Sequence, residues 1–149
     1  MKLKNNLSFD NLIKHYESLY NCFYIDLQVK ELRLGYEHSV DISQYANGNY
    51  LPYQMKEIRL GLENDVDVSI YATREFNWCK MHEIRLGLMS KVDVSIYVNS
   101  KFSEDQMREI RLGLESGIDV SHYAFSDLPA SIMKQTRERL EQDQSSNSQ

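Results

Sequence analysis

Five arginines, Arg33, Arg59, Arg85, Arg111 and Arg137, stand 26 residues apart along a chain of 149. Each marks the same place in a recurring stretch. The clearest copies are QMKEIRLGLENDVDVSIYA at 54–72, KMHEIRLGLMSKVDVSIYV at 80–98 and QMREIRLGLESGIDVSHYA at 106–124. A looser copy, QVKELRLGYEHSVDISQYA, fills 28–46, and a truncated one, IMKQTRERLE, fills 132–141. A period of this length restricts the fold more than any other feature of the chain. Each unit is too small to bury its own apolar face, so the units must stack on their neighbours.

Two helix starts are legible in each unit. In the copy around Arg111, Ser103 stands as an N-cap with Gln106 three residues later, a capping box. Phe102 before the cap and Met107 after it form a hydrophobic staple. The same staple recurs as Tyr24 with Val29, Tyr50 with Met55, Phe76 with Met81 and Leu128 with Met133. Pro52 and Trp78 take the first helical position, which suits proline because its missing N–H would be unpaired there. The second start is an aspartate cap, Asp41, Asp67, Asp93 or Asp119, each followed by Val or Ile and then Ser. Each unit therefore reads as a helix of about twelve residues, a tight turn, and a second helix of about two turns or less. Met55, Ile58 and Leu62 make one apolar stripe, and Leu60 points to another side, as suits a helix between neighbours. Four of the six glycines, Gly35, Gly61, Gly87 and Gly113, share one column inside the helical pattern. Glycine there costs about 1 kcal/mol against alanine, so a close approach by the second helix or by the next unit is expected.

The expected fold is all-α, a short α-solenoid of helix-turn-helix repeats with capping helices at both ends. Residues 1–22 read as an N-terminal capping helix. Ser8 or Asp10 would cap it, and Phe9, Leu12, Ile13, Tyr16, Leu19 and Tyr20 would lie on one face, after a frayed lead-in over residues 1–7. Residues 23–128 hold four repeats. Residues 129–141 form a capping half-repeat, in which Glu138 and Arg139 replace the core Leu and Gly as a solvent-facing end requires. The polar stretch 142–149 is expected to be disordered. With 42% hydrophobic residues the chain can build a core. It has no apolar run long enough for a membrane span and no apolar signal core at its start. Two cysteines are too few for a disulfide framework, which points to a reducing, cytoplasmic setting.

The recurring polar residues suggest a structural ladder before they suggest chemistry. Arg59 falls about 40° from Met55 at ~100° per residue, beside the apolar stripe. A guanidinium so placed needs partners. The expected ladder joins Arg33, Arg59, Arg85 and Arg111 to Asp41, Asp67, Asp93 and Asp119, or to carbonyls at the turn. The alternative is a basic track. Lys30, Lys56, His82, Arg108 and Lys134 stand three residues before the arginines, and the resulting column could follow a phosphate backbone. The column Glu31, Glu57, Glu83 and Glu109 and a net charge of −5 argue against it. Cys79 and His82 have CxxH spacing, but a closed zinc site needs four ligands and no second pair exists. His15, His38, His82 and His122 are scattered, and no nucleophile elbow, HExxH or phosphate-cradling loop occurs. No catalytic, cofactor or metal residue is assigned, and the chain reads as non-enzymatic. Specificity should lie where the copies differ. Trp78 stands in a column otherwise filled by Asp26, Pro52, Glu104 and Ala130, and an aromatic there is a candidate hot spot. Tyr53 and Met89 also break their columns, and Asn64, Asp65 and Lys91 vary at the turn. These six are the candidate partner-binding residues.

The pattern QMxEIRLGLExxxDVSxYA resembles a short helical repeat found in proteins of Firmicutes, particularly those carried by conjugative elements and phages. The match spans about 24–141. The repeat family has no established biochemical role to carry over. Its setting implies a protein partner, for instance a host defence complex inhibited in the manner of an anti-CRISPR protein. The competing expectations are a nucleic-acid array using the KxxR columns and a self-associating structural repeat.

Overall fold

The helices begin and end where local chemistry dictates. The computed structural model describes residues 7–147, with six α-helices and no strand among them. They are α1 (Phe9–Tyr20), α2 (Asp26–Glu37), α3 (Pro52–Glu63), α4 (Trp78–Met89), α5 (Glu104–Glu115) and α6 (Ala130–Asn147). The expected lead-in falls almost wholly outside the described residues. Ser8 rather than Asp10 caps α1, its hydroxyl accepting from Asn11 N–H. On α1, Phe9, Ile13 and Tyr16 are buried, whereas Leu19 and Tyr20 are exposed and do not join that face. At α5, Ser103 Oγ accepts from Gln106 N–H and Gln106 Oε1 from Ser103 N–H at 2.8 Å. That is the expected capping box.

All four helices from α2 to α5 stop in the same way. In α3 the N–H of Val66 donates to Gly61 O and that of Asp65 to Leu62 O, the paired bonds of a Schellman end. The residue after the cap must then be left-handed, and Ser39, Asp65, Lys91 and Gly117 have φ of 61°, 55°, 60° and 75°. Only one of the four is glycine. A β-carbon costs about 1–2 kcal/mol in this region, and lysine lacks the short polar side chain that lets Asn or Asp offset part of it. Lys91→Gly is expected to raise stability by about 1 kcal/mol, read as a higher urea midpoint at unchanged slope. A lower midpoint would show that the Lys91 side chain makes a contact worth more than the strain.

After the turn the second helix shrinks to a single three-residue 3₁₀ turn, beginning at Ile42, Val68, Val94 or Val120. Its aspartate cap accepts from the serine two residues on, as Asp67 does from Ser69 N–H at 3.1 Å. The turn ends on Tyr45, Tyr71, Tyr97 or Tyr123, each fully buried. Each hydroxyl crosses back over the preceding helix and donates to a backbone carbonyl, that of Glu31, Glu57, Glu83 or Glu109, at 2.7–2.8 Å. The glycine column explains itself here. A Cβ on Gly35, Gly61, Gly87 or Gly113 would overlap the tyrosine hydroxyl and crowd Ile42, Val68, Val94 or Val120. The close approach comes from the second element of the same unit. Burial pushes the Tyr45, Tyr97 and Tyr123 phenols well above their ordinary range.

The chain divides into two compact units, 1–81 and 82–149, with the boundary inside α4. In the first, α1 lies against α2, with the Phe9 ring 5.4 Å from Tyr36 and the Arg33 guanidinium 4.4 Å above Phe9. The α2 and α3 helices pack through Leu32, Met55 and Ile58, all fully buried. Gln28 serves two helices at once: Oε1 accepts from Ile25 N–H, and Nε2 donates to Tyr50 O at 2.8 Å. Gln54 repeats this with Leu51 N–H and Phe76 O. In the second unit, Ile84, Met107, Ile110 and Met133 are fully buried, and Gln106 Nε2 donates to Ser126 O and Leu128 O. The last helix runs to Asn147, which corrects the expectation of disorder over 142–147; residues 148 and 149 lie outside the described residues. Its final turn is exposed, and Ser145 and Ser146 hydroxyls donate to the carbonyls four residues back. A polar sequence needs no core to continue a helix already nucleated by packed residues.

Candidate protein-interaction site

The recurring charges are occupied within the fold. Arg59 Nε donates to Glu31 Oε2 on the preceding helix and Nη1 to Glu63 on its own, both at 2.8 Å. His38, the C-cap of α2, closes the group through Nδ1 and Glu63. In the second unit Arg111 bonds Glu83 and Glu115, and Ser90 Oγ donates to Glu115. Arg137 bonds Glu109 and Glu141, and Ser116 Oγ donates to Glu141. Each arginine is thus a bidentate clasp across a helix pair, sealed by the preceding helix's C-cap. Burial alone would raise the Glu63 carboxyl, but hydrogen bonds from His38 and Arg59 hold it below its ordinary range.

This corrects the expected ladder. The partners are glutamates. Asp41, Asp67, Asp93 and Asp119 face their own serines as turn caps. Arg33 sits on the Phe9 ring, because no repeat precedes α2 to supply a carboxylate. Arg85 is buried and has Met89 where the other helices carry Glu; its Nη1 donates to Met89 Sδ at 3.2 Å and its Nη2 lies 3.2 Å from His82 Nδ1. The arginine half of the KxxR column therefore points into carboxylates at Arg59, Arg111 and Arg137. No buried side-chain nitrogen or oxygen among the described residues lacks a hydrogen-bond partner. No group of three or more His, Cys, Asp or Glu among them is placed to hold a metal ion. No helix among the described residues is long and apolar enough to cross a membrane.

The six candidate partner residues separate into two groups. Tyr53 and Trp78, in the first turns of α3 and α4, meet with ring centroids 5.3 Å apart and both remain exposed. Asn64 and Asp65 lie at the far end of α3, where Asn64 Nδ2 caps Leu60 O and Asp65 supplies the left-handed residue. Met89 and Lys91 lie at the C-terminal end of α4, with Lys91 in the same left-handed role. Variation at Asp65 and Lys91 thus sits on a position set by backbone geometry.

The structure adds four residues to the aromatic pair. Phe23 is 92% exposed and Leu51 64%, and Ile25 and Leu27 are also exposed. Ile25 and Leu51 are the N-caps of α2 and α3 and make no side-chain cap bond. Aliphatic residues at that position forgo about 1 kcal/mol relative to Ser or Asn. The corresponding caps of α4 and α5, Asn77 and Ser103, do accept from the backbone. The Gln28 and Gln54 bonds hold these helix starts side by side, so Ile25 and Leu27, then Leu51 and Tyr53, then Trp78, follow one another along one edge of the first unit. The signal was in the sequence as an anomaly of type, an Ile and a Leu where a cap residue belongs.

The edge is built mainly of exposed aromatic and aliphatic side chains. Comparison with protein-family models, curated proteins and solved structures gives no match, so the functional argument rests on the site itself.

Proposed function

We propose that the chain is a non-enzymatic protein-binding module, a short α-solenoid whose working surface is the apolar edge formed by Phe23, Ile25, Leu27, Leu51, Tyr53 and Trp78. The observation that carries this reading is the pair of aliphatic N-caps. Two helices give up a capping bond and expose apolar surface in its place, a loss with no return inside the fold. Tyr53 and Trp78, in contact beside them, are the residue types that dominate protein interfaces. The solenoid reading is supported by the recurrence of the tyrosine, glutamine and arginine locks in both units. The protein-binding reading is supported further by how the recurring polar groups are used: hydroxyl on carbonyl, guanidinium on carboxylate, aspartate on serine. A phosphate track would need arginines free to face outward, and Arg59, Arg111 and Arg137 are held by glutamates. The resemblance to mobile-element repeats suggests the role of inhibitor of a host defence complex in the cytoplasm.

The test is a comparison of wild type with Leu51→Ser and Trp78→Ala as bait in native-host extract. Specific protein capture by wild type, lost in both variants at unchanged helical circular dichroism, is the expected outcome. Capture of nucleic acid instead, weakening steeply with salt and insensitive to Trp78→Ala, would replace this reading with the phosphate track.

A further inference from the structure

Resting on the reading of the apolar edge as a protein-binding surface, we infer that its occupant is a second copy of the same chain, paired edge to edge about a twofold axis. The first argument is area. Phe23, Ile25, Leu27, Leu51, Tyr53 and Trp78 together expose on the order of 700–800 Å², being between about two-fifths and nine-tenths exposed. Monomeric proteins seldom leave apolar patches beyond ~300–600 Å², and a standard interface takes about 800 Å² from each partner. The edge alone therefore supplies most of the area that a stable dimer needs.

The second argument is charge. In an isologous interface a patch faces its own image, so any net charge on it repels itself. Among the caps and first two residues of α2, α3 and α4 (Ile25, Asp26, Leu27, Leu51, Pro52, Tyr53, Asn77, Trp78, Cys79), Asp26 is the one charged residue. The matching positions of α5, Ser103, Glu104 and Asp105, carry two carboxyls. The apolar run covers the three consecutive helix starts of the first unit, and the acidic start of α5 does not continue it, although the start of α6, Pro129, Ala130 and Ser131, is again uncharged. A bounded apolar patch that meets its own image closes as a dimer; a repeating one along every helix start would propagate into a filament.

The decisive variant copies α5 onto α3: Leu51→Ser with Tyr53→Asp. Ser103 shows that serine at this place caps its helix, so the substitution removes the edge and improves the fold. Sedimentation equilibrium across the micromolar to sub-millimolar range is expected to give a dimer for the wild type and a monomer for the double variant, whose melting temperature in the monomeric range is unchanged or higher. A wild type that stays monomeric throughout overturns the inference, as does a double variant that remains dimeric. A monomeric wild type that still captures a host protein through Leu51 and Trp78 would overturn self-pairing alone and leave the protein-binding reading standing. A monomer that captures nothing would remove both.

Discussion

Arg111→Ala is expected to destabilise the protein by about 3–5 kcal/mol, the usual result of leaving one member of a buried ion pair alone. Glu83 is the reason. Its side chain is 3% exposed and loses its 2.8 Å bond from Arg111 Nε. The half-exposed Arg108, whose Nε lies 3.3 Å from Glu83 Oε1, can compensate only in part. Burial disfavours the charged guanidinium of Arg111, but the hydrogen bonds it donates to Glu83 and Glu115 overcome this and raise its pKa, so it stays charged across the accessible pH range. The control is Arg111→Met combined with Glu83→Met. Replacing a buried pair by apolar residues of similar size is often neutral or stabilising, so the double variant should recover most of the loss in chemical denaturation. If Arg111→Ala unfolds at the wild-type midpoint, the clasp is a solvent-screened contact and the stack is held by its apolar residues alone.

Gly113→Ala should cost about 1–3 kcal/mol, the range of an overpacked core. The sign is what makes it diagnostic, because the same change in an ordinary helix interior gains about 1 kcal/mol. The new Cβ would overlap the Tyr123 hydroxyl and lie 2.8 Å from Val120 Cγ1. Tyr123→Phe alone removes the bond to Glu109 O and should cost about 1 kcal/mol. Combined, the two should fall short of additivity by at least ~1 kcal/mol, since phenylalanine vacates the space that the alanine needs. Strict additivity would place the clash on Val120 or the backbone instead.

The helix starts were readable because they depend on neighbours in sequence. Ser103 with Gln106 and the staples obey local rules, and the chain folds accordingly at those points. The reason for the glycine column was half readable. A helical glycine signals a close approach, but nothing in the spacing says that a tyrosine hydroxyl ten residues on fills the gap. The arginine partners were misassigned for a geometric reason. Asp67 is near Arg59 in sequence, while Glu31 is 28 residues away and becomes a neighbour only once α2 and α3 pack. The candidate site was legible at Tyr53 and Trp78, where an aromatic broke a column. Ile25 and Leu51 were passed over because a conservative-looking aliphatic is remarkable only at a capping position. Lys91 and Asp65 stood out as variable, yet the structure gives them a backbone duty that tolerates variation.

The locks close over three different lengths of chain. Tyr45 reaches Glu31 across 14 residues, whereas Gln28 reaches Tyr50 across 22 and Arg59 reaches Glu31 across 28. Short loops close on the ten-to-hundred-nanosecond scale, and the entropy of closure grows with length. Each helix can therefore fasten to its own 3₁₀ turn before it meets the next helix. The expected order of assembly is helix with its own turn first and helix on helix second, and none of these locks demands a partner from beyond the adjoining repeat. Such a chain has low contact order and should refold fast. The tyrosine hydroxyl, besides filling the place of a missing methyl, sets the unit in which the molecule folds.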